Sequence, residues 1–297
     1  MGPLQNLAGY WIARRRADPA ALAAAHAAVA DLTPVVVVTG ASRGIGLALA
    51  ERFAREGRHL ALVARTPADL ETAASRIRAA LRGKSKDATV VTLAIDLTQP
   101  NVALLLEERL RASGYYVDVL VNNAGIGLAG RFHDAEPAQL EHMVTLNVTA
   151  PTMLMAHFLP AMLARRRGGI LNVGSLGGAI PGPGQSAYYA SKAYIQSLGE
   201  AAAAECAGAG VRISTLLPGP VDTTFHARMG AQASLYRRLL PALSPRRVAN
   251  AGHFGFWLGK RVIVPGIFNK LLYVAVRVLP HPLTVPFVKI LLNKTGR

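Results

Sequence analysis

The run Val35 to Thr39 is wholly β-branched, and it passes at once into GASRGIG and the apolar, helix-patterned segment Leu47 to Glu56. Gly40, Gly44 and Gly46 therefore fall in a strand-to-helix turn, the setting that a glycine-rich phosphate loop requires. Such glycines let the backbone approach a pyrophosphate, and the helix N-terminus behind them offers free N–H groups and the positive end of a dipole. A tight turn without a ligand is the competing reading of the loop taken alone. The patterns then alternate: strands at 59–64, 89–95, 117–121, 169–173 and 211–217, helices at about 67–81, 100–113 and 136–167, and a further helix ending near 207. That alternation predicts an α/β fold with a doubly wound parallel sheet.

The chemistry is expected in the stretch Asn172 to Lys192. Tyr188 and Lys192 are four apart and share a helix face, where an ammonium favours the phenolate and should lower the tyrosine pKa from about 10. A tyrosine so tuned can give or take a proton near neutral pH. Ser175 stands thirteen residues before Tyr188, just past the apolar strand 169–173, and its hydroxyl could hold a substrate oxygen. Tyr189 is a rival acid within a turn of Lys192, but it points about 100° away around the helix. In a chain with eight Tyr, the Tyr–Lys pair by itself proves little.

The strand 59–64 ends in Ala64 and Arg65, where a site for NAD would usually carry an acidic residue for the ribose hydroxyls. Arg43 in the glycine loop and Arg65 are instead placed to pair with a 2′-phosphate, so NADP(H) is expected in preference to NAD(H); the alternative is two ordinary solvated arginines. Asp96, closing the third strand, is placed to accept a bond from an adenine amino group. The side-chain amides of Asn122 and Asn123 could bond the backbones of neighbouring strands, while Ala124 and Gly125 leave room for a cofactor. Asn147 sits among apolar neighbours in the helix 136–167. Either it caps a core network of its own, or it bends the helix and holds a water beside Lys192.

At 297 residues, 51% of them hydrophobic, and without low-complexity tracts, the chain is expected to build one large domain. The lone Cys206 excludes an internal disulfide, falls in an Ala-rich helical run and suits a reducing cytoplasm. The opening MGPLQNLAGYWIARRR has its basic residues after a short apolar part and Asn6 where a myristoylation signal has Ser or Thr, so neither a secretory nor a myristoylation signal is expected. Asp18 and Pro19 read as the N-cap and first residue of an Ala-rich helix to about Leu32, within an appendage of residues 1–33. Net charge is +16, and after Asp222 there are twelve Lys or Arg and no Asp or Glu. Such a bias suggests an anionic partner: a lipid surface, a nucleic acid or a phosphorylated cofactor. Nucleic acid ranks last, because no recognition motif or interleaved aromatic patch accompanies the charge.

Taken in order, Thr39-Gly40-Ala41-Ser42-Arg43-Gly44-Ile45-Gly46, Asp96, Asn122-Asn123-Ala124-Gly125, Asn147, Ser175, Tyr188 to Lys192 and Pro218-Gly219 resemble the signatures of the short-chain dehydrogenase/reductase family, over about residues 34–265. One small departure is Gly174, where many relatives carry a second serine. The resemblance implies a doubly wound parallel seven-stranded sheet, a Rossmann fold, as a single domain with extensions at 1–33 and 266–297. It implies Tyr188 as catalytic acid or base, Lys192 as the group that lowers its pKa and bonds the nicotinamide ribose, Ser175 as holder of the carbonyl oxygen and Asn147 as keeper of a proton-relay water. It implies a cofactor site made by Gly40, Ser42, Arg43, Gly44, Ile45, Gly46, Arg65, Asp96, Leu97, Asn123, Ala124, Gly125, Tyr188, Lys192, Pro218, Gly219, Val221 and Thr223, with no metal. Family members are often dimers or tetramers through the helices around Asn147 and Tyr188, and the basic tail also resembles that of a bacterial subgroup.

The expected activity is interconversion of a carbonyl and a secondary alcohol with NADP(H), on an apolar small molecule; the alternative is a peripheral membrane or lipid-binding protein of the same fold with little turnover. Substrate contacts are expected between Val221 and Pro245, in a lid containing Phe225, His226, Met229 and Tyr236. In the segment 266–297, Lys270 and Arg277 are seven apart and lie on one side of a helix, with Phe268, Leu271, Leu272, Val276 and Leu279 covering apolar ground beside them. Peripheral binding to an anionic membrane is expected of this segment, and packing on the protein's own core or at a dimer interface is the competing reading.

Overall fold

In the computed structural model, residues 18–81, 88–230, 235–236 and 241–292 are described. Seven strands, Thr33–Thr39 (β1), His59–Ala64 (β2), Val90–Ala94 (β3), Tyr115–Asn122 (β4), Gly168–Val173 (β5), Val211–Leu216 (β6) and Val262–Ile263 (β7), form one sheet in the order β3-β2-β1-β4-β5-β6-β7. Every pairing is parallel. The helices are Pro19–Ala27 (α1), Gly44–Ala54 (α2), Pro67–Leu81 (α3), Val102–Ala112 (α4), Pro137–Val144 (α5), Ala150–Ala164 (α6), Ser186–Glu205 (α7), Phe225–Arg228 (α8), Pro245–Trp257 (α9), Ile267–Val278 (α10) and His281–Leu292 (α11). The run of valines in β1 works as a two-faced strand. Side chains alternate across the sheet, so Val36 and Val38 join the layer under α2, α3 and α9, while Val35 and Val37 join the layer under α4, α6 and α7.

The doubly wound, seven-stranded sheet expected from the sequence is therefore present. Its last strand has two residues, paired Thr215 with Val262 and Leu216 with Ile263, too few for any periodicity to register. At the other end, Asp18 caps α1 by accepting from the Ala20 N–H at 3.0 Å. The helix stops at Ala27, short of Leu32, because turns through Ala28 to Leu32 bury Val29 and bring Thr33 N to Gly114 O at 2.8 Å, where β1 begins. The opening residues 1–17 and the polar linker 82–87 lie outside the described residues.

The long helical pattern 136–167 is not one regular helix. A π-helical turn, Thr145–Thr149, separates α5 from α6, and such single wide turns recur at functional sites. It carries the buried Asn147.

Candidate active site

The chain leaves β1 toward β2 on one side and β4 toward β5 on the other, so the C-terminal ends of β1 and β4 part into a crevice, where doubly wound sheets bind their ligands. Polar side chains tie its floor together. Thr39 Oγ1 donates to Val121 O at 3.1 Å and accepts from the N–H groups of Asn123 and Ala124 at 2.9 and 3.0 Å. Asn123 Nδ2 donates to Thr39 O and Gly40 O at 2.8 and 3.1 Å, as its place in the sequence suggested, whereas Asn122 Nδ2 bonds the Asn172 side chain at 2.9 Å. Gly40 and Gly44 have φ of 62° and 57°, the left-handed region that glycine adopts without strain. A Cβ on Gly46 would run into Gly40 O and the Asn123 amide. Gly46 thus lets α2 close on the loop and does not itself line the cleft.

The resulting cleft has a volume of about 550 Å³, and every other residue expected at the cofactor site lines it. At its outer end Arg43 pairs with Asp69 at 2.5 Å, both partly exposed. Asp69 belongs to the first turn of α3, one element beyond the end of β2 where sequence reasoning looked for a carboxylate, and so it was missed. Its signal was an acidic residue four positions after Arg65. Arg65 lies exposed in the same lining. Asp96 Oδ1 accepts from Thr98 N and Oγ1 at 2.9 and 2.8 Å, and the backbone bond foremost holds its carboxyl below the usual range.

At the inner end the elements converge on Tyr188. Ser175 follows β5 in extended conformation, its Oγ accepts from Gly177 N at 3.1 Å, and its side chain hydrogen-bonds the Tyr188 phenol. Lys192, one turn along α7, donates from Nζ to Val173 O at 3.0 Å, with its ammonium 6.0 Å from the centre of the Tyr188 ring. Asn147 Oδ1 accepts from Ile126 N at 2.9 Å, and its Nδ2 donates to Ile126 O at 2.8 Å and to Ser191 Oγ at 3.1 Å. Ser191 in turn donates to Tyr188 O at 2.7 Å. Ser191, a small polar residue on an Ala-rich helix, gave no sequence signal.

The expected lowering of the Tyr188 pKa by Lys192 does not appear among the protein's own groups. Burial instead pushes Tyr188 up to about 12, opposed only by the bond from Ser175. Lys192 is itself buried, which spacing does not reveal and which brings its pKa down to about 8. Tyr189 is raised as well, by burial and by Tyr236. Its ring lies against Gly177 and Gly182, where a Cβ would collide with it.

A second, apolar cavity of about 230 Å³ opens from Ser175 and Tyr188 on the side away from the glycine loop. Met229 and Tyr236 from the expected lid line it, and Phe225 lies 5.6 Å from the Tyr188 ring, in the wall of the cleft. The side chain of His226 lies outside the described residues. The far wall comes from α10 and α11, with Leu272, Val276, Val288 and Leu292 facing inward. Asn269 locks this pair of helices to the cofactor side: its amide donates to Pro265 O at 2.8 Å and packs where a Cβ on Gly219 would sit. Leu272 and Val276, expected beside the cations as lipid-facing ground, are thus turned inward, because α10 is apolar on two faces and one of them meets Ile180 and Tyr236.

Residues 34–234 match the family described as short chain dehydrogenase. A short chain dehydrogenase of Pseudocercospora fijiensis is 36% identical over 194 residues, 64% of this chain; the match spans only 60% of that protein's length. Among solved structures, a short-chain dehydrogenase from Sphingobium yanoikuyae in complex with NADPH is 33% identical with a TM-score of 0.72, covering 82% of this chain and 92% of that one. The bulky-bulky ketone specific alcohol dehydrogenase from Comamonas testosteroni is 30% identical with a TM-score of 0.66, covering 81% and 91%. With the family match over residues 34–234 and the same fold in these relatives, the chain belongs to the short-chain dehydrogenase/reductase family of oxidoreductases.

Proposed function

We propose that the protein is an NADPH-dependent oxidoreductase that interconverts an apolar carbonyl compound and its secondary alcohol. One observation carries this reading: the polar cleft and the apolar cavity meet at Ser175, Tyr188 and Gly219, which line both. A dinucleotide suits the cleft, since Gly40 lets the loop pack directly on Asn123 and Ala124, where a Cβ would collide, and no side chain caps the free N–H groups at the start of α2. When bound, NADPH supplies the hydride that reduces the carbonyl carbon and leaves oxidised as NADP⁺. Tyr188, protonated throughout the neutral range, gives its phenolic proton to the carbonyl oxygen, and Ser175 donates a hydrogen bond to that oxygen as charge develops on it. Lys192 and Asn147 hold the catalytic turn of α7 against β5 and the chain after β4, and Lys192 would be the residue that binds the nicotinamide ribose. Preference for the phosphorylated cofactor rests on Arg43 and Arg65 and is in line with the NADPH bound by the Sphingobium relative.

The alternative of a lipid binder with little turnover is not favoured, because nothing in lipid binding asks for a buried lysine and tyrosine beside a half-buried serine at one point. A cytoplasmic setting suits the single buried Cys206. Exposed Val144, Met153 and Tyr194, on the helices around Asn147 and Tyr188, support a homodimer through that face. The functional reading is tested by following NADPH oxidation with ketones and aldehydes of increasing chain length. Rates that rise with apolar size support it, and no turnover of any carbonyl with either NADPH or NADH would refute it.

A further inference from the structure

Helices α10 and α11 each present two apolar faces, and only one is covered. At about 100° per residue, Asn269, Leu272 and Val276 point to one side of α10, against the protein, with Asn269 and Val276 buried. On the opposite side, within an arc of about 60°, lie Ile267, Leu271, Val274 and Val278, exposed by 73, 64, 58 and 75%. α11 repeats the arrangement, with Thr284, Val288 and Leu292 buried and Leu283, Phe287 and Ile290 more than half exposed. A helix on the surface of a soluble domain normally shows water its polar face. Among the described residues, nine of the sixteen large apolar side chains that are exposed fall between Ile267 and Ile290, so the patch is concentrated on this one pair of helices.

The apolar cavity opens on that same surface. Leu279 and Phe287 line it and are themselves about half exposed, so they mark its mouth, while Ser175 and Tyr188 stand at its inner end. Among the described residues, no charged side chain lines it. The wall is held firmly to the catalytic helix, since Gln196 Nε2 donates to Tyr273 OH at 2.9 Å and Arg277 reaches both Tyr273 and Glu200. Exposed Lys270 and Lys289 flank the two stripes, and no acidic residue occurs anywhere after Asp222. An exposed apolar face edged by cations and free of carboxylates fits an anionic lipid surface, into which such helices sink in the plane of the headgroups. Twelve residues each are too few to span the bilayer.

We propose that α10 and α11 dock on an anionic bilayer and that the mouth between them admits a long-chain lipid carbonyl straight from it, carbonyl end first, to Tyr188. The route rests on the functional reading above; the docking surface does not. The test uses the full chain and a triple variant, Leu271→Glu with Val274→Glu and Ile290→Glu, none of which lines the cavity. Both are sedimented with phosphatidylglycerol and with phosphatidylcholine vesicles at low and high salt. NADPH oxidation is followed with a long-chain methyl ketone held in phosphatidylglycerol vesicles and with a short, water-soluble one. The unmodified protein is expected to sediment with the anionic vesicles, less so in salt. The triple variant is expected to lose at least about tenfold in vesicle binding and as much in turnover of the vesicle-held ketone, with the soluble ketone reduced as before. An unmodified protein that stays in solution beside anionic vesicles, or a variant that binds them equally well, overturns the proposal. So does a variant that changes only from dimer to monomer, which would make the face a contact between copies. Vesicle binding without turnover of any carbonyl would overturn the functional reading and the route with it, while the docking surface would stand.

Discussion

Lys192 offers a quantitative test of how deeply the turn from Tyr188 to Lys192 is buried. Burial lowers its folded pKa from 10.5 to about 8, and the unfolded chain keeps the ordinary value. Below about pH 8 both states carry the proton, and the folded state bears the full cost of a buried ammonium. That cost is about 3 kcal/mol, because each pH unit separating the two pKa values corresponds to about 1.4 kcal/mol. Between about 8 and 10.5 the unfolded state binds more protons than the folded one, so stability rises with pH across that window and the cost is relieved. Lys192→Met removes the group from both states and leaves every other titration in place. Urea unfolding of the two proteins at about pH 7 and again at about pH 10.5 should therefore show the unmodified protein gaining about 3 kcal/mol on the variant. A gap that stays constant with pH, or that moves the other way, would mean that Lys192 is solvated and that its bond to Val173 does not hold it in the interior.

Replacing Arg43 or Arg65 by Ala should lower kcat/KM for NADPH by about 1.5 to 3 kcal/mol, roughly ten- to a hundredfold, with little change for NADH; Asp69→Ala, which releases Arg43 and removes the cleft's outer carboxylate, should raise the NADPH to NADH ratio. Equal use of both cofactors by the unmodified protein would contradict the assignment. Gly46→Ala drives a Cβ into Gly40 O, which is backbone and cannot swing aside, so NADPH binding by fluorescence should be lost and the melting temperature should fall. An alanine variant that binds normally would show that α2 does not close on the loop as described.

What the sequence made legible was whatever carries a local period or a turn. The valines of β1 alternate between two layers, the glycine loop needs its positive φ values, and the four positions from Tyr188 to Lys192 are one turn of α7 wherever the chain folds. Burial was not legible. Spacing alone set a lysine beside a tyrosine, whereas depth in the fold decides that Tyr188 rises and Lys192 falls. Asp69 reaches the cleft from α3, one element beyond the strand end where a carboxylate was sought. The tail was the most ambiguous stretch, since α10 and α11 are apolar on opposite faces and periodicity cannot say which face the protein covers. Packing against Ile180 and Tyr236 settles the inner face, so the core-packing reading holds for it, while the outer face remains exposed.

The central claim is that Tyr188 is the proton donor at the junction of the two cavities. It is tested most directly by comparing Tyr188→Phe with Tyr189→Phe in NADPH-dependent reduction of a carbonyl that the unmodified protein turns over, with cofactor affinity measured in parallel. Tyr188→Phe keeps the ring and loses only the transferable proton, so kcat should fall by about 10²- to 10⁴-fold with NADPH affinity nearly unchanged, and Tyr189→Phe, which alters only the cavity wall, should retain most of its activity. Activity that survives in Tyr188→Phe, or that is lost in Tyr189→Phe instead, would contradict the account.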